Sequence, residues 1–520
     1  MFSRRVKQVF KYGSLAAVGV GTAYAIKNND WEMSTIGVVR FGRAAGTVAR
    51  VVVDYKWSLR NIDPNSKEYQ NTKSEVHTRS AVRLRNMCCA NGGAFIKVGQ
   101  HLATLDYLLP EEYTQTLQVL HSDAPQSPIE DLLRVFEEEI GKKVEDMFEY
   151  FSPEPLGTAS LAQVHKAVTK DGRVLAVKIQ HPKVKAHSYV DIKTMEFLIH
   201  RVAWVFPDFQ YVWLAEETKK NLPKELDFMR EGEHCERVEK MFAKFSFLKV
   251  PKIYWEFSSG RVLTMEYCEG GKVNDLEYMQ KHNIDVNEVS RDLGKLYSEM
   301  IFVNGYVHCD PHPGNVLVNK TNQGTQIVLL DHGLYQTLTD DFRINYGKLW
   351  MCLIQADLPG IEKYSGRLNV GKLYPLFACM ITARSWDSIT TGIDKRKVTE
   401  AENQELSDNA GTYMIQISEV LNSIPRQMLL IMKTNDVLRG IETVLHTRAS
   451  ASYFITMSRC CIRAMGEHKL RHCGGLLAAC RTRLYTQWQL IKIDLYELFL
   501  WINSSMLARW LLKKEIECET

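Results

Sequence analysis

The spacing of apolar and polar positions divides the chain into helical ends and a mixed middle. Val38–Leu59 mixes apolar and basic residues at helical spacing, which fits an exposed amphipathic helix and a packed one equally. Asp63-Pro64-Asn65-Ser66 marks a turn and a boundary. Glu68–Cys89 reads as one helix, stopped by Asn91-Gly92-Gly93. Ala94-Phe-Ile-Lys-Val-Gly-Gln100 follows, and Pro110 opens a short helix over Glu111–Leu120. Ile129–Ile140 is an acidic helix with Leu132, Leu133, Val135 and Phe136 inside, capped by Gly141.

From Phe151 the pattern becomes that of strands. Phe151–Val168 reads as a strand, a small-residue turn and a second strand, and Lys170-Asp-Gly172 is a hairpin signal. Val174–Gln180 is a third strand carrying one lysine, Lys178; Val250–Tyr254 and Arg261–Tyr267 read as strands four and five. Helices are expected at Asp191–Val205, Leu214–Asn221 and from Glu225 onward, then at Leu338–Ala356, Leu373–Arg384 and Met428–Leu438. Beyond about residue 450 the chain is helical and basic. There Trp488, Ile491, Leu495, Leu498, Phe499 and Ile502 recur at three and four, giving one apolar face. The unbroken run Leu498–Ile502 is far too short to span a bilayer. Core packing is the commoner fate of such a face, and interfacial membrane binding is the alternative.

The chemistry centres on Gly305–Asn319 and Ile327–Gly333. The first offers Asp310 and Asn315, five positions apart on a loop broken by Pro and Gly; the second is an apolar strand ending in Asp331 and a glycine. Phosphoryl transfer needs an acid beside the attacking group, an amide oxygen on Mg²⁺ and a second acid on Mg²⁺. H-R-D-x-x-x-x-N followed by D-F-G has this spacing; here His308-Cys309-Asp310 and Asp331-His332-Gly333 stand in its place. Two Asx-capped turns in an ordinary α/β protein are the plain alternative; two acids and an Asn at this spacing, each next to a hydrophobic strand, weigh against it. Asp310 is therefore the candidate base, and Asn315 and Asp331 the candidate Mg²⁺ ligands. His312 is read as bracing the loop, since the acid already fills the base role.

Upstream lies the order phosphate loop, hairpin, lysine strand. Lys178 would hold the phosphates of ATP or ADP, with Glu231 as its ion-pair partner and Glu225 as the alternative. Glu225 and Asp227 sit two apart and do not share a helix face, whereas Glu231 lies six beyond Glu225 on the same expected helix. The loop itself, Gly157-Thr158-Ala159-Ser160, holds a single glycine. Glycine permits close backbone approach to phosphate, so a clamp of altered shape and altered nucleotide preference is expected. Met265–Gly271 falls where a backbone hinge would grip adenine. Lys97 and Gln100 share a helix face; periodicity alone makes that a solvated polar face beside buried Ile96 and Val98.

At 520 residues, with 45% hydrophobic and 24% charged residues, the chain has globular composition and room for two to four domains. A net charge of +4 without a basic, aromatic-interleaved stripe gives no case for nucleic acid. The twelve cysteines form no C-x-x-C or zinc-like spacing, so reduced structural thiols are expected. Met1–Asn29 is basic and free of acids, with an apolar run from Leu15 to Ile26. That fits a mitochondrial presequence; Ala23-Tyr-Ala25 leaves a secretory signal as the rival, and a plain surface segment is the third reading.

Lys97-Val-Gly-Gln100, the alanine-containing loop, Glu225-Leu-Asp227, His308–Asn315 and Asp331-His-Gly333, in this order, resemble the UbiB, or aarF-domain-containing, family of atypical kinases. The likeness covers about residues 66–450. It implies an α+β, protein-kinase-like two-lobed fold with an N-terminal helical K-x-G-Q extension and a helical C-terminal region. The chain would then divide into a targeting segment (1–29), a linker or amphipathic helix (30–65), the extension (66–150), an N-lobe (151–271), a C-lobe (272–450) and a terminal helical region (451–520). The resemblance moves Lys97 into the active site, toward the phosphates, supported by Glu225 and Asp227. It implies ATPase or small-molecule and lipid phosphorylation, and no A-P-E follows the D-x-G to support ordinary peptide docking. It further implies mitochondrial, inner-membrane-associated work in lipid homeostasis, with membrane lipids and membrane proteins as partners. A nucleotide-sensing scaffold that supports membrane structure without phosphate transfer is the rival reading.

Overall fold

The computed structural model describes residues 37–504 except 65, 104–108, 122–125, 183, 208, 210–211, 392–413 and 446–449. The expected targeting segment, residues 1–29, lies outside them. The chain forms two compact units: Met1–Glu233 with Lys252–Tyr267, and His234–Pro251 with Cys268–Thr520. Strands are numbered along the chain as β1 Phe148–Thr158, β2 Ala162–Thr169, β3 Val174–Gln180, β4 Leu248–Lys249 and β5 Val262–Glu266. They continue as β6 Gly271–Lys272, β7 Tyr306–His308, β8 Val316–Thr321, β9 Gly324–Leu329 and β10 Tyr335–Thr337.

The first unit carries helices α1 Gly37–Ser58, α2 Lys67–Asn91, α3 Ala94–Ala103, α4 Glu111–Gln118 and α5 Ile129–Ile140. After β3 come α6 Val184–Val205, α7 Val212–Glu225 and α8 Phe228–Met241, the last running on into the second unit. Its sheet is antiparallel in the order β1-β2-β3-β5. Strand alternation sorts β3: Leu175, Val177 and Ile179 are fully buried with Leu132, Val135 and Phe136 of α5. Each such side chain contributes about 1.5–3 kcal/mol by leaving water. Lys178 thereby falls on the other face of the sheet, opposite Val164 and Leu263.

α1 is packed along one side. Its Ala44 joins Met87, Phe95, Ile96, Leu117 and Leu198 in a core, and its buried Arg40 bonds Asp191 of α6, Nε to Oδ1 2.8 Å. α2 starts at Ser66, whose hydroxyl accepts the Tyr69 N–H at 3.0 Å, and stops at Gly92, whose φ of 68° suits glycine.

Two expectations fail here for local reasons. Glu225 and Glu231 do not share a helix. Leu226 and Phe228 both turn into the core, and the Phe228 N–H bonds Gly260 O at 3.2 Å instead of continuing the helix, so the chain breaks between α7 and α8. Val250–Tyr254 is not a strand either. Pro251 has no N–H to give; only Ile253 bridges, to Met265, while β4 pairs with β9 in the second unit.

The second unit holds a sheet of order β4-β9-β8-β6 and a separate β10-β7 pair. Its helices include α9 Val286–Ser298, α10 Asp340–Gln355, α11 Arg426–Val444, α12 Ser450–Arg471 and α13 Leu476–Ser504. A π-helical turn, Glu299–Asn304, follows α9 and ends at Gly305, φ 62°, which feeds β7. Glu299, 2% exposed, is paired there with Lys244 and with Arg463 of α12. On α13 the apolar face expected to enter the core does not: Trp488, Ile491, Leu495 and Leu498 are exposed. Phe499 and Ile502 have side chains outside the described set.

Candidate active site

In the first unit, each residue of Lys97-x-Gly99-Gln100 has its own role in packing α3. Lys97 Nζ meets Glu225 Oε2 at 2.8 Å, the two side chains only 14% and 6% exposed. Gly99 faces Leu120 and Cys88 so closely that a Cβ would come 2.4 Å from the buried Leu120 Cδ1. Gln100 donates from Nε2 to Leu120 O at 2.9 Å, and its Oε1 accepts from the Ser160 hydroxyl at 3.2 Å. The helix is thereby tied to the loop between β1 and β2.

That loop is held from several sides. Ala159 N–H bonds Ala162 O at 2.8 Å, and His181 Nε2 donates to Ala159 O at 2.9 Å. The Ser127 hydroxyl lies 2.9 Å from His181 Nδ1. Burial lowers the His181 pKa, which keeps the ring neutral and suits this donor–acceptor pattern. Neither Gly157 nor Ala159 takes a positive φ, and a Cβ on Gly157 would meet nothing within 4 Å. The loop thus reaches its shape without the backbone freedom that glycine confers. Thr158 Oγ1 is buried with no hydrogen-bond partner.

Lys178 Nζ lies 2.7 Å from Glu231 Oε1 and 5.1 Å from the Phe228 ring centroid. Glu225, the alternative partner, pairs with Lys97. Asp227 sits at the break between α7 and α8, its carbonyl accepting the Glu231 N–H at 3.3 Å. Gln180, at the end of β3, donates to Leu226 O at 2.7 Å and fixes that break beside the sheet. Two lysine–carboxylate pairs therefore stand within one unit.

In the second unit, Asp310 and Asn315 share a loop that is bonded to itself. Asn315 Nδ2 donates to Asp310 O at 3.1 Å, and the Asn315 N–H to His312 O at 2.7 Å. His312 Nδ1 accepts the Gly314 N–H at 3.2 Å. Asn315 O in turn accepts the Leu330 N–H at 2.8 Å, joining this loop to the residue before Asp331. Asp331 is held at φ 52°, a left-handed conformation costly for a side-chain-bearing residue and typical of functional turns.

Beneath both loops runs a buried network. His308 Nε2 donates to Asp331 O at 2.9 Å while its Nδ1 accepts from the Tyr297 hydroxyl at 3.0 Å. His332 Nε2 donates to Leu329 O at 3.0 Å, its Nδ1 takes the Tyr335 hydroxyl at 2.8 Å, and His234 Nδ1 donates to His332 O at 3.0 Å. Burial lowers the pKa of His308 and brings that of His332 down to about 3, so both rings are neutral. Burial also pushes the Cys309 thiol up to about 12, which makes it an inert filler rather than a nucleophile.

The ABC1 atypical kinase-like domain matches residues 119–365. "AarF domain-containing protein kinase 1" of Gallus gallus is 56% identical over 508 residues, covering 97% of this chain and 98% of its own. The chain belongs to the ABC1 atypical kinase-like family. "AarF domain-containing kinase 1" of Drosophila melanogaster is 46% identical, covering 95% of this chain and 97% of its own. A solved structure, Rv3197 with erythromycin from Mycobacterium tuberculosis, is 21% identical with a TM-score of 0.44, covering 72% of this chain and 95% of that one. The mixed α+β, kinase-like domain is flanked by helical N- and C-terminal regions.

Family membership frames what the sequence reading missed. Lys433 of α11, 8% exposed as a residue, lies with its Nζ 3.5 Å from Asp310 Oδ1. Its signal was available: it is the one charged residue between Met428 and Asn435, a run whose Met428, Leu429, Ile431 and Met432 are buried. The aromatic partners Tyr297 and Tyr335 gave no such signal, because only the folded chain brings them to the histidines.

Proposed function

We propose that the chain is a Mg²⁺-dependent, nucleotide-binding phosphotransferase or ATPase of mitochondria, acting in membrane-lipid homeostasis. The observation that carries the reading is the Lys178–Glu231 pair, 2.7 Å apart and almost buried. A lysine held there by a carboxylate is a fixed point charge for phosphate oxygens. The unpartnered hydroxyl of Thr158 adds a donor at the loop, and Lys97 with Glu225 adds a second fixed cation.

The second unit carries candidate residues of its own. Asn315 has its amide nitrogen committed to Asp310 O, which leaves the amide oxygen as the atom to offer a cation. One amide oxygen and one carboxylate, Asp331, suit Mg²⁺, a hard ion that completes its octahedron with phosphate and water. Asn315 and Asp331 would hold the ion, which when bound neutralises phosphate charge. Asp310 orients the acceptor hydroxyl or water and takes its proton, and Lys433, 3.5 Å away, keeps that carboxylate aimed.

Phosphate release from ATP, with and without mitochondrial lipids, tests this. Lys178→Met and Asp310→Asn are each expected to lose at least about a hundredfold in kcat. Turnover equal to the parent in both variants rejects it. The close tie of Gln100 to Ser160 favours a second reading, a nucleotide-sensing scaffold whose loop is braced rather than mobile. Complementation of a null cell separates the two: rescue by Asp310→Asn as complete as by the parent supports the scaffold.

A further inference from the structure

α13 meets α12 with a narrow, mixed face. Ala479, Thr482, Thr486, Gln489, Leu490 and Ile493 are half-buried there. Gly466 of α12 comes so near that a Cβ there would lie 2.5 Å from Thr486 Oγ1. Both threonine hydroxyls are satisfied within α13, on Ala478 O and Thr482 O, each at 2.8 Å. The two hydroxyls therefore pack without an unmet donor.

The side turned away carries an apolar stripe. Leu477, Leu484, Trp488, Ile491, Leu495 and Leu498 are 45–88% exposed. Their spacing of three, four and seven keeps them on one stripe, and at 1.5 Å per residue the stripe runs roughly 30 Å. An apolar stripe of that length in water marks a contact surface.

Charge indicates what it meets. Arg481 and Lys492 flank the stripe, and Lys492 Nζ lies 5.8 Å from the Trp488 ring centroid. Arg483 is also exposed. No ion pair among the described residues engages Arg481, Arg483 or Lys492, whereas the acids of the same helix, Asp494 and Glu497, are both bonded to Arg459 of α12. The charge left beside the stripe is therefore basic. No helix among the described residues is long and apolar enough to cross a membrane. Apolar residues with Trp on one face and Lys/Arg at its rim are the pattern of a helix lying in the headgroup boundary.

We propose that α13 lies on the surface of an anionic bilayer, with Leu484, Trp488, Ile491 and Leu495 at the acyl boundary and Arg481 and Lys492 on headgroup phosphates. This holds whether or not the chain transfers phosphate, so either idea can fail without the other.

The test is co-sedimentation of the full chain with vesicles of phosphatidylcholine alone and of phosphatidylcholine and phosphatidylglycerol in equal parts. The parent is expected to bind the anionic vesicles at least about tenfold more tightly. Arg481→Gln with Lys492→Gln should weaken that binding roughly 25-fold, about fivefold for each charge removed. Trp488→Gln with Leu495→Gln should abolish it. All four positions are exposed, so both variants should melt as the parent does, and Trp488→Phe should remove a vesicle-induced fluorescence blue shift. Equal binding by parent and both variants, or no binding by the parent, overturns the proposal. So does a parent dimer that Trp488→Gln with Leu495→Gln dissociates while vesicles go unbound.

Discussion

Lys433 Nζ sits 3.5 Å from Asp310 Oδ1, with the lysine side chain 10% exposed and the aspartate 23%. A cation this close holds the carboxylate in place. In the proposed reaction the acid must be so held. Lys433→Met is therefore expected to lower kcat about 10–100-fold with little change in nucleotide KM, and Lys433→Arg to restore most of it. Steady-state phosphate release reads the split. A loss confined to KM would assign Lys433 to nucleotide binding instead.

Lys97 and Glu225 form a nearly buried pair, and its energetics should be those of such pairs. Removing one partner strands the other's charge, so Lys97→Met and Glu225→Leu should each destabilise by about 3–5 kcal/mol. The double variant should cost much less than the sum, since two apolar side chains can fill the space. Urea unfolding of the four proteins measures the coupling. Additive losses would show that the pair is not the reason either residue is there.

The neutral histidines beneath the loops set a pH dependence. Burial lowers the pKa of His308 and His332 below the unfolded value of 6.5, to about 3 for His332. The unfolded chain therefore binds more protons below pH 6.5 than the folded one. Stability supplied by these groups is present above pH 6.5 and falls as pH drops toward 3, by about 1.4 kcal/mol per pH unit for each ring while it stays neutral in the fold. His332→Gln should flatten the acid limb of a stability-versus-pH curve, and an unchanged limb would place the titration elsewhere.

Much of the candidate site was legible because its parts are local. The five-residue spacing from Asp310 to Asn315, the acid after an apolar strand and the lysine on β3 are each written in one short stretch. Helix Ile129–Ile140 and strand Val174–Gln180 were read with the bounds the structure has, since a proline or turn starts each and the periodicity is clean. What failed depended on tertiary competition. The break at Leu226-Asp227 arises because Leu226 and Phe228 are both drawn into the core, and no local signal announces it. The apolar face of α13 has the same periodicity whether it is packed or exposed, so only the partner helix reveals which face α12 takes. Lys433 is 123 residues from Asp310, a distance that pattern cannot bridge.

The central claim is that the chain binds Mg²⁺–nucleotide and that Lys178 and Asp331 are each required for that binding. The direct measurement is the melting temperature of the parent, Lys178→Met and Asp331→Asn with Mg²⁺–ATP, Mg²⁺–ADP and ATP plus chelator. Ligand at a hundredfold excess over Kd stabilises by about 2.7 kcal/mol, a shift of several degrees. The account predicts that shift for the parent with Mg²⁺ present, its loss on chelation, and its loss in both variants. A parent that melts at one temperature with and without Mg²⁺–nucleotide would contradict it.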